Sequence, residues 1–113
     1  MSTRNPLLTS PPYPVEQAAK TLGENLRLAR LRRNLAIQPV AQKIGTGPRA
    51  VADAEKGKAS TGLAVYVALL WAYDLLTPFS ALADPAGDDE GLALTGAGAR
   101  QRARRSDGLD NDF

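Results

Sequence analysis

The stretch LGENLRLARLRRNLAIQPVAQKIGTGPRAVADAEKG, residues 22–57, contains three helix patterns in close succession. Apolar side chains recur in it at intervals of three and four residues, which is the spacing of one face of an α-helix. Asn34, Gly45 and Gly57 interrupt the pattern, and both residue types commonly end helices because they tolerate a left-handed backbone. The sequence therefore predicts a helix, a turn, a short helix, a second turn and another short helix, with arginine side chains on their surface.

The wider pattern predicts five helices within residues 15–83. The predicted ranges are 15–33, 37–44, 48–56, 61–73 and a short last helix from Pro78 to about Leu82. Pro39 and Pro48 fall in the first turn of their helices, where a missing N–H costs little. Thr61 is the residue type that caps a helix start, so we expect it to cap the fourth helix. The predicted fold class is all-α.

The two ends of the chain lack this pattern. Residues 1–14 contain four prolines, which favour a flexible or polyproline-like arm over any helix. Residues 84–113 hold few bulky apolar side chains and cannot bury enough surface to offset their chain entropy, which predicts disorder. We therefore expect an arm (1–14), a helical domain (15–83) and a tail (84–113).

Composition argues against several classes of protein. The chain has no cysteine and no histidine, which excludes disulfides, Cys/His metal sites and histidine-dependent catalysis. No motif indicates a catalytic site, a cofactor or a metal, so we expect that the protein is not an enzyme. No apolar run is long enough for a membrane span, and the first residues lack a signal-peptide core. These observations predict a soluble, cytoplasmic protein.

The net charge of +2 hides a separation of charges along the chain. Residues 16–60 hold nine Lys and Arg residues against four Asp and Glu residues, whereas residues 74–90 hold five acidic residues and no basic one. Arginines return at residues 100–105, and aspartates follow at 107, 110 and 112. The basic block predicts a phosphate-binding surface, and the tail suggests a second partner or, through its arginines, extra affinity for DNA. The alternative is a solvated tail with no partner.

Four features, in order, resemble the Xre family of phage-repressor (Cro/C1-type) helix-turn-helix regulators. They are LGENLRLAR (22–30), VAQKIG (40–45), VADAEKGK (51–58) and an apolar fourth helix followed by LLTPFSAL (75–82). The resemblance covers residues 22–82, just over half of the chain. It implies a five-helix lambda-repressor-like domain, double-stranded operator DNA as partner, and a nucleoid-associated location.

The resemblance also implies where DNA bases are contacted. In this family the second helix of the motif lies in the major groove with its first side chains on base edges. Here that helix begins at Pro48 and Arg49, and the Arg49 guanidinium can bond bidentately to guanine. Contact with phosphate alone is the alternative for Arg49. Asp53 lies further along the same side and could accept from cytosine, although a structural role is equally consistent with an acid near phosphates.

Other residues are expected to hold the DNA backbone or the fold. The predicted phosphate contacts are Gln38, Lys43, Lys56, Lys58 and Ser60. The family resemblance implies a partly buried ion pair between Arg30 and Glu55, which would tie the first predicted helix to the third. Arg27, Arg32 and Arg33 are expected to be solvated, with at most one phosphate contact among them.

The sequence departs from the family pattern at three places. Ala36 stands where Ser or Thr usually caps the second helix, and Ile37 stands where a glutamine often grips a phosphate; Gln38 can substitute for it. Gly47 and Pro48 replace polar residues at the start of the base-contacting helix. We therefore expect few direct base contacts, so that DNA shape and a dimer must supply more of the specificity.

A homodimer and a second partner complete the sequence-based expectations. The last two predicted helices carry more apolar side chains than a small core requires. The surplus predicts a dimer surface. The stretches STGLAVYVALLWAYDLL (60–76), LADPAGDDEGLAL (82–94) and LDNDF (109–113) resemble HipB-type antitoxins encoded beside HipA-like serine/threonine kinase toxins. That resemblance implies repression of its own operon and restraint of the kinase. The tail contacts would be Leu109 and Phe113 as anchors, with Asp107, Asp110 and Asp112 on basic groups.

Two other functions stay open at this point. One is an ordinary homodimeric Xre-type repressor with no toxin partner. The other is a protein-binding module that has lost its affinity for DNA, which Ile37 and the Gly47–Pro48 pair suggest.

Overall fold

The computed structural model describes residues 5–96, and every regular element in that range is helical. The all-α fold class is therefore confirmed for this part of the chain. The α-helices are α1 (Pro6–Thr9), α2 (Tyr13–Arg32), α3 (Ile37–Ile44), α4 (Pro48–Glu55), α5 (Leu63–Ala72) and α6 (Leu76–Ser80). The described residues divide into two compact units, residues 5–80 and 81–96.

The core of the first unit lies between α2, α3, α4 and α5. Leu26 of α2, Val51 of α4 and Leu69 of α5 are fully buried in it, and α3 adds Val40 and Ala41. These residues sit at the apolar positions that the helical spacing predicted. None of the helices described is long and apolar enough to cross a membrane.

The amino-terminal segment contains helix, contrary to expectation. Asn5 caps α1 by accepting a hydrogen bond from the N–H of Leu7 at 3.0 Å, and Pro6 occupies the first turn. Pro14 likewise falls in the first turn of α2, which begins at Tyr13 and not at Val15. A proline at these positions loses no hydrogen bond, because the first N–H groups of a helix have no partner inside it. The prolines therefore begin helices here instead of preventing them.

Two helices, α5 and α6, also have boundaries that differ from the sequence-based expectation. Thr61 does not cap α5; the capping position is Gly62, and no side chain caps that end. The last short helix begins at Leu76 and ends at Ser80, two residues earlier at each end than predicted. Pro78 is its third residue, where the missing N–H is still one without a helical partner. Gly45, in contrast, ends α3 in the left-handed conformation as expected, with φ of 84°.

Two glycines allow the backbones of α2 and α4 to touch. A Cβ atom at Gly23 would lie 2.6 Å from the carbonyl oxygen of Ala54, at the end of α4. A Cβ atom at Gly57 would lie 2.5 Å from the carbonyl oxygen of Ala19, and φ of Gly57 is +70°. Any side chain at either position would push the helices apart. This close approach sets the position of α4 relative to α2.

The described part of the second unit, residues 81–96, carries regular structure where none was predicted. Pro85–Gly87 form a 3-10 turn that Asp84 caps by accepting from the N–H of Ala86 at 3.0 Å, and residues 89–96 are helical. Asp88 accepts from the N–H of Gly91 in the same way. Aspartate capping explains this local order. The predicted tail contacts Leu109, Asp110, Asp112 and Phe113 lie outside the described residues.

Candidate nucleic-acid interface

A tight turn at residues 45–47 joins α3 to α4. The N–H groups of Gly45 and Thr46 both donate to the carbonyl oxygen of Ala41, each at 2.9 Å. This pair of hydrogen bonds at the end of α3 requires the left-handed backbone of Gly45. The chain then enters α4 through Gly47, which has the extended backbone usual for a capping residue but no side chain to cap the first turn of α4. The turn thus places the start of α4 beside the end of α3.

The beginning of α4 presents Arg49 to solvent. Pro48 and Arg49 are exposed, whereas Val51 and Ala54 on the opposite side of the helix are fully buried. Arg49 forms no ion pair with any residue of the described range. Its guanidinium donors are therefore free for an acceptor outside the domain.

Asp53 already has a cationic partner. Its Oδ1 atom lies 3.3 Å from the Nζ atom of Lys58, and 26% of the Asp53 side chain is exposed. The two residues that were predicted as a base contact and a phosphate contact thus pair with each other. A lysine beside the carboxylate also weakens the repulsion that an acid near phosphates would cause.

The side chains predicted to contact phosphate are all exposed: Gln38, Lys43, Lys56, Lys58 and Ser60. Ser60 precedes the capping residue of α5 by two positions, so it lies outside that helix. The Lys43 ammonium lies 5.5 Å from the centroid of the Trp71 ring, a distance typical of a cation–π contact. Lys56 and Lys58 line one groove together, and Lys43 lines a different one with Pro39.

The unusual residues at the start of α3 have clear positions in the structure. Ala36 occupies the capping position with no side-chain hydrogen bond. Ile37 is partly buried and packs against the core, so its side chain serves the fold. Gln38, the next residue, is exposed and remains available to an acceptor or donor outside the domain.

Arg30 and Glu55 form the buried ion pair that the resemblance implied. The Nε and Nη2 atoms of Arg30 donate to the two carboxylate oxygens of Glu55 at 2.6 and 3.0 Å, and Nη1 donates to the carbonyl oxygen of Leu35 at 2.8 Å. The hydrogen bonds to Glu55 raise the pKa of Arg30, against the opposing effect of its burial. This bidentate pair connects the last third of α2 to the end of α4.

Two further side chains position these helices and were not predicted from the sequence. Arg33 donates to the carbonyl oxygens of Ala29 and Tyr73, and its guanidinium carbon lies 5.6 Å from the centroid of the Tyr73 ring. Arg33 is exposed, as expected, but it also makes these contacts within the domain. The Tyr66 hydroxyl donates to the carbonyl oxygen of Lys58 at 2.8 Å and so holds the segment between α4 and α5. Partners 40 residues apart leave no local pattern in a sequence.

The arrangement combines an exposed arginine at a helix start, lysines around the end of the same helix and a buried ion pair behind it. The chain matches no protein-family model, no curated protein and no solved structure. No group of three or more acidic side chains in residues 5–96 could hold a metal ion.

Proposed function

We propose that this protein is a DNA-binding transcriptional repressor that acts as a homodimer. In this proposal α3 and α4 form a helix-turn-helix pair, and α4 enters the major groove with its first turn on base edges. Arg49 makes the principal base contact, Gln38, Lys56 and Lys58 hold phosphates, and the site does no chemistry of its own. The protein would work in the cytoplasm, on the nucleoid.

One observation carries the proposal: Arg49 is exposed and free of ion pairs with the described residues, at the start of a helix whose other side is fixed in the core. A base contact is favoured when its side chain stands on a rigid helix, because a mobile helix would lose conformational entropy on binding. The Arg30–Glu55 pair and the Gly23–Gly57 approach supply that rigidity from behind. The left-handed turn at Gly45 supplies the short connection typical of a helix-turn-helix.

The homodimer follows from the shortage of base contacts. The first turn of α4 begins with Gly47 and Pro48, which leaves Arg49 as its one long polar side chain. A single domain with so few contacts gains little specificity, whereas two copies on paired half-sites add theirs.

The exposed side of α5 is the surface that we propose for dimer contacts. This helix, LAVYVALLWA, contains no charged residue. Ala64 and Trp71 are exposed, Trp71 by 55% of its surface, while Tyr66 and Leu69 face the core. A helix that is apolar all round is normally buried on every side, so the exposed side is suited to a second copy.

Selection from random DNA sequences tests the proposal and requires no known operator. The full chain is incubated with duplexes that carry a random region, and bound DNA is amplified through several rounds at low salt. We expect enrichment of a two-fold symmetric sequence with half-sites about one helical turn apart. Failure to retain any DNA at low salt, where phosphate contacts are strongest, would contradict the proposal and favour a protein-binding module.

The antitoxin role is a narrower form of the same proposal. It is supported by the sequence resemblance, and its contact residues fall in 107–113, outside the described range. A kinase-like reading frame beside the gene, whose product co-purifies with this chain, is the expected result. If no such frame exists, the ordinary homodimeric repressor is the remaining form of the proposal.

A further inference from the structure

A groove runs along the first unit between the amino-terminal helices and the segment that joins α4 to α5. It has two adjoining parts, with volumes of about 350 and 220 Å³. The parts share walls formed by Leu8, Val15, Ala19, Lys58 and Ala59. The larger part falls within the size range of small-ligand pockets.

The larger part is apolar. Leu7 and Leu8 of α1 form one of its sides, and Leu63 of α5 forms another; these three side chains are 51%, 45% and 66% exposed. Leu22 and Tyr66 also line it. A concave surface lined mainly by apolar side chains is typical of a binding pocket.

The smaller part is basic. Lys20, Lys56 and Lys58 line it, with Glu16 as its acidic residue. Glu16 pairs with Lys20 at 3.5 Å across an exposed helix face, which leaves the lysine able to take another partner. Lys58 likewise has an acidic partner, Asp53 at 3.3 Å, and its side chain is 48% exposed. An apolar floor beside three lysines is complementary to an acidic segment that carries apolar side chains.

We propose that this groove binds the segment SDGLDNDF, residues 106–113, of a second copy of this chain. Leu109 and Phe113 supply the apolar side chains for the larger part of the groove, and three aspartates, Asp107, Asp110 and Asp112, supply the charge for the lysines. The homodimer of the proposed function, on which this inference rests, provides the segment at high effective concentration.

The segment and DNA would compete for the same lysines. Lys56 and Lys58 belong both to the groove and to the proposed phosphate contacts. Occupation of the groove by an acidic segment therefore lowers the affinity for DNA, and a partner that removes the segment raises it. The acidic segment of the chain would thus regulate the DNA affinity of the basic surface.

A peptide titration tests whether the groove accepts the segment. The probe is a fluorescein-labelled synthetic peptide of residues 106–113, titrated with the full-length double variant Leu109→Ser/Phe113→Ser and followed by fluorescence anisotropy. We expect saturable binding that Lys20→Glu, added to the double variant, weakens roughly three- to tenfold. Arg27→Glu, an equal charge change at an exposed position of the same helix outside the groove, leaves it unchanged. Absence of saturable binding, or equal losses from the two substitutions, would overturn the proposal.

A mixing experiment tests whether the segment comes from a second copy. The Leu109→Ser/Phe113→Ser chain, which has an intact groove, is mixed with a Leu8→Asp chain, which has an intact segment. We expect the second chain to displace the labelled peptide from the first. If unlabelled wild-type protein fails to bind the labelled peptide but the mixture still binds it, the segment occupies the groove of its own chain. That result would overturn the proposal. Both readouts use no DNA, so failure here is distinguishable from failure of the repressor proposal.

Discussion

Arg30 and Glu55 join α2 to α4 by two hydrogen bonds of 2.6 and 3.0 Å, and their side chains are only 9% and 6% exposed. The pair is therefore a buried link between the longest helix and the helix that carries Arg49. Removing one partner leaves the other charge buried without compensation, which is costly.

Glu55→Gln should lower the free energy of unfolding by about 3–5 kcal/mol, because the buried Arg30 charge loses its counter-ion. Urea unfolding followed by circular dichroism measures the loss. The matched control is Glu16→Gln, whose exposed pair with Lys20 should contribute less than about 0.5 kcal/mol. Equal losses of unfolding free energy in the two variants would show that burial does not make the Arg30–Glu55 pair more important for stability than an exposed pair.

Gly23→Ala should lower the free energy of unfolding by about 1–3 kcal/mol, because the added methyl group would meet the backbone of Ala54 and Gly57. Gly62→Ala is the control, since a Cβ atom there has no neighbour within 4 Å. It should cost less than about 1 kcal/mol, as expected for a substitution at a helix cap. The close contact between α2 and α4 would be contradicted if Gly23→Ala were as mild as its control.

Tyr73→Phe and Tyr66→Phe should have effects of different sign. The Tyr73 hydroxyl is buried and has no hydrogen-bond partner in the described residues, so its removal should be neutral or stabilising by up to about 1 kcal/mol. The Tyr66 hydroxyl donates to Lys58, so its removal should cost about 0.5–1.5 kcal/mol. Thermal unfolding of the two variants provides the comparison, and a larger loss from Tyr73→Phe would contradict it.

The same two tyrosines should make the protein sensitive to alkali. Burial raises the pKa of Tyr66 and of Tyr73 above the usual value of 10.0. The unfolded chain therefore loses its phenolic protons first, so the stability is fully present below about pH 10 and falls as the pH rises towards the folded-state pKa values. Unfolding midpoints measured from about pH 8 upwards should show this decline. A double Tyr66→Phe/Tyr73→Phe variant that declines just as steeply would contradict the assignment.

Much of this fold was predictable from local patterns in the sequence. The spacing of apolar residues predicted α3 and α4 within one residue, and the glycine at position 45 predicted the turn between them, because periodicity and a left-handed residue are local properties. The family resemblance supplied the Arg30–Glu55 pair, which no periodicity could have indicated.

The remaining features could not be predicted in the same way. The Gly23–Gly57 approach and the contact of Arg33 with Tyr73 join residues 34 and 40 positions apart, and such contacts depend on how whole helices pack. The helix α1 is different, since Asn5 before Pro6 is a local start signal that the count of prolines obscured.

Lys43 and Lys56 should differ in their effect on DNA binding. The Lys43 ammonium lies over the Trp71 ring, whereas Lys56 is exposed with no ion pair in the described residues. Lys56→Ala should reduce the slope of log affinity against log salt by about 1, as expected for the loss of a phosphate contact. Lys43→Ala should leave the slope unchanged and instead alter the fluorescence of Trp71, the single tryptophan. A reduced slope for Lys43→Ala would show that Lys43 contacts a phosphate after all.

The most direct test of DNA binding through α4 is the affinity of Arg49→Ala for a selected duplex and for a scrambled one, measured by fluorescence anisotropy with Arg27→Ala as the matched control. Arg49→Ala should lose about 1–3 kcal/mol on the selected duplex, with unchanged affinity for the scrambled duplex and unchanged stability. Arg27→Ala should leave the difference between the two duplexes intact. Equal losses on both duplexes would make Arg49 a phosphate contact, and failure of the wild-type chain to prefer the selected duplex would contradict specific DNA binding.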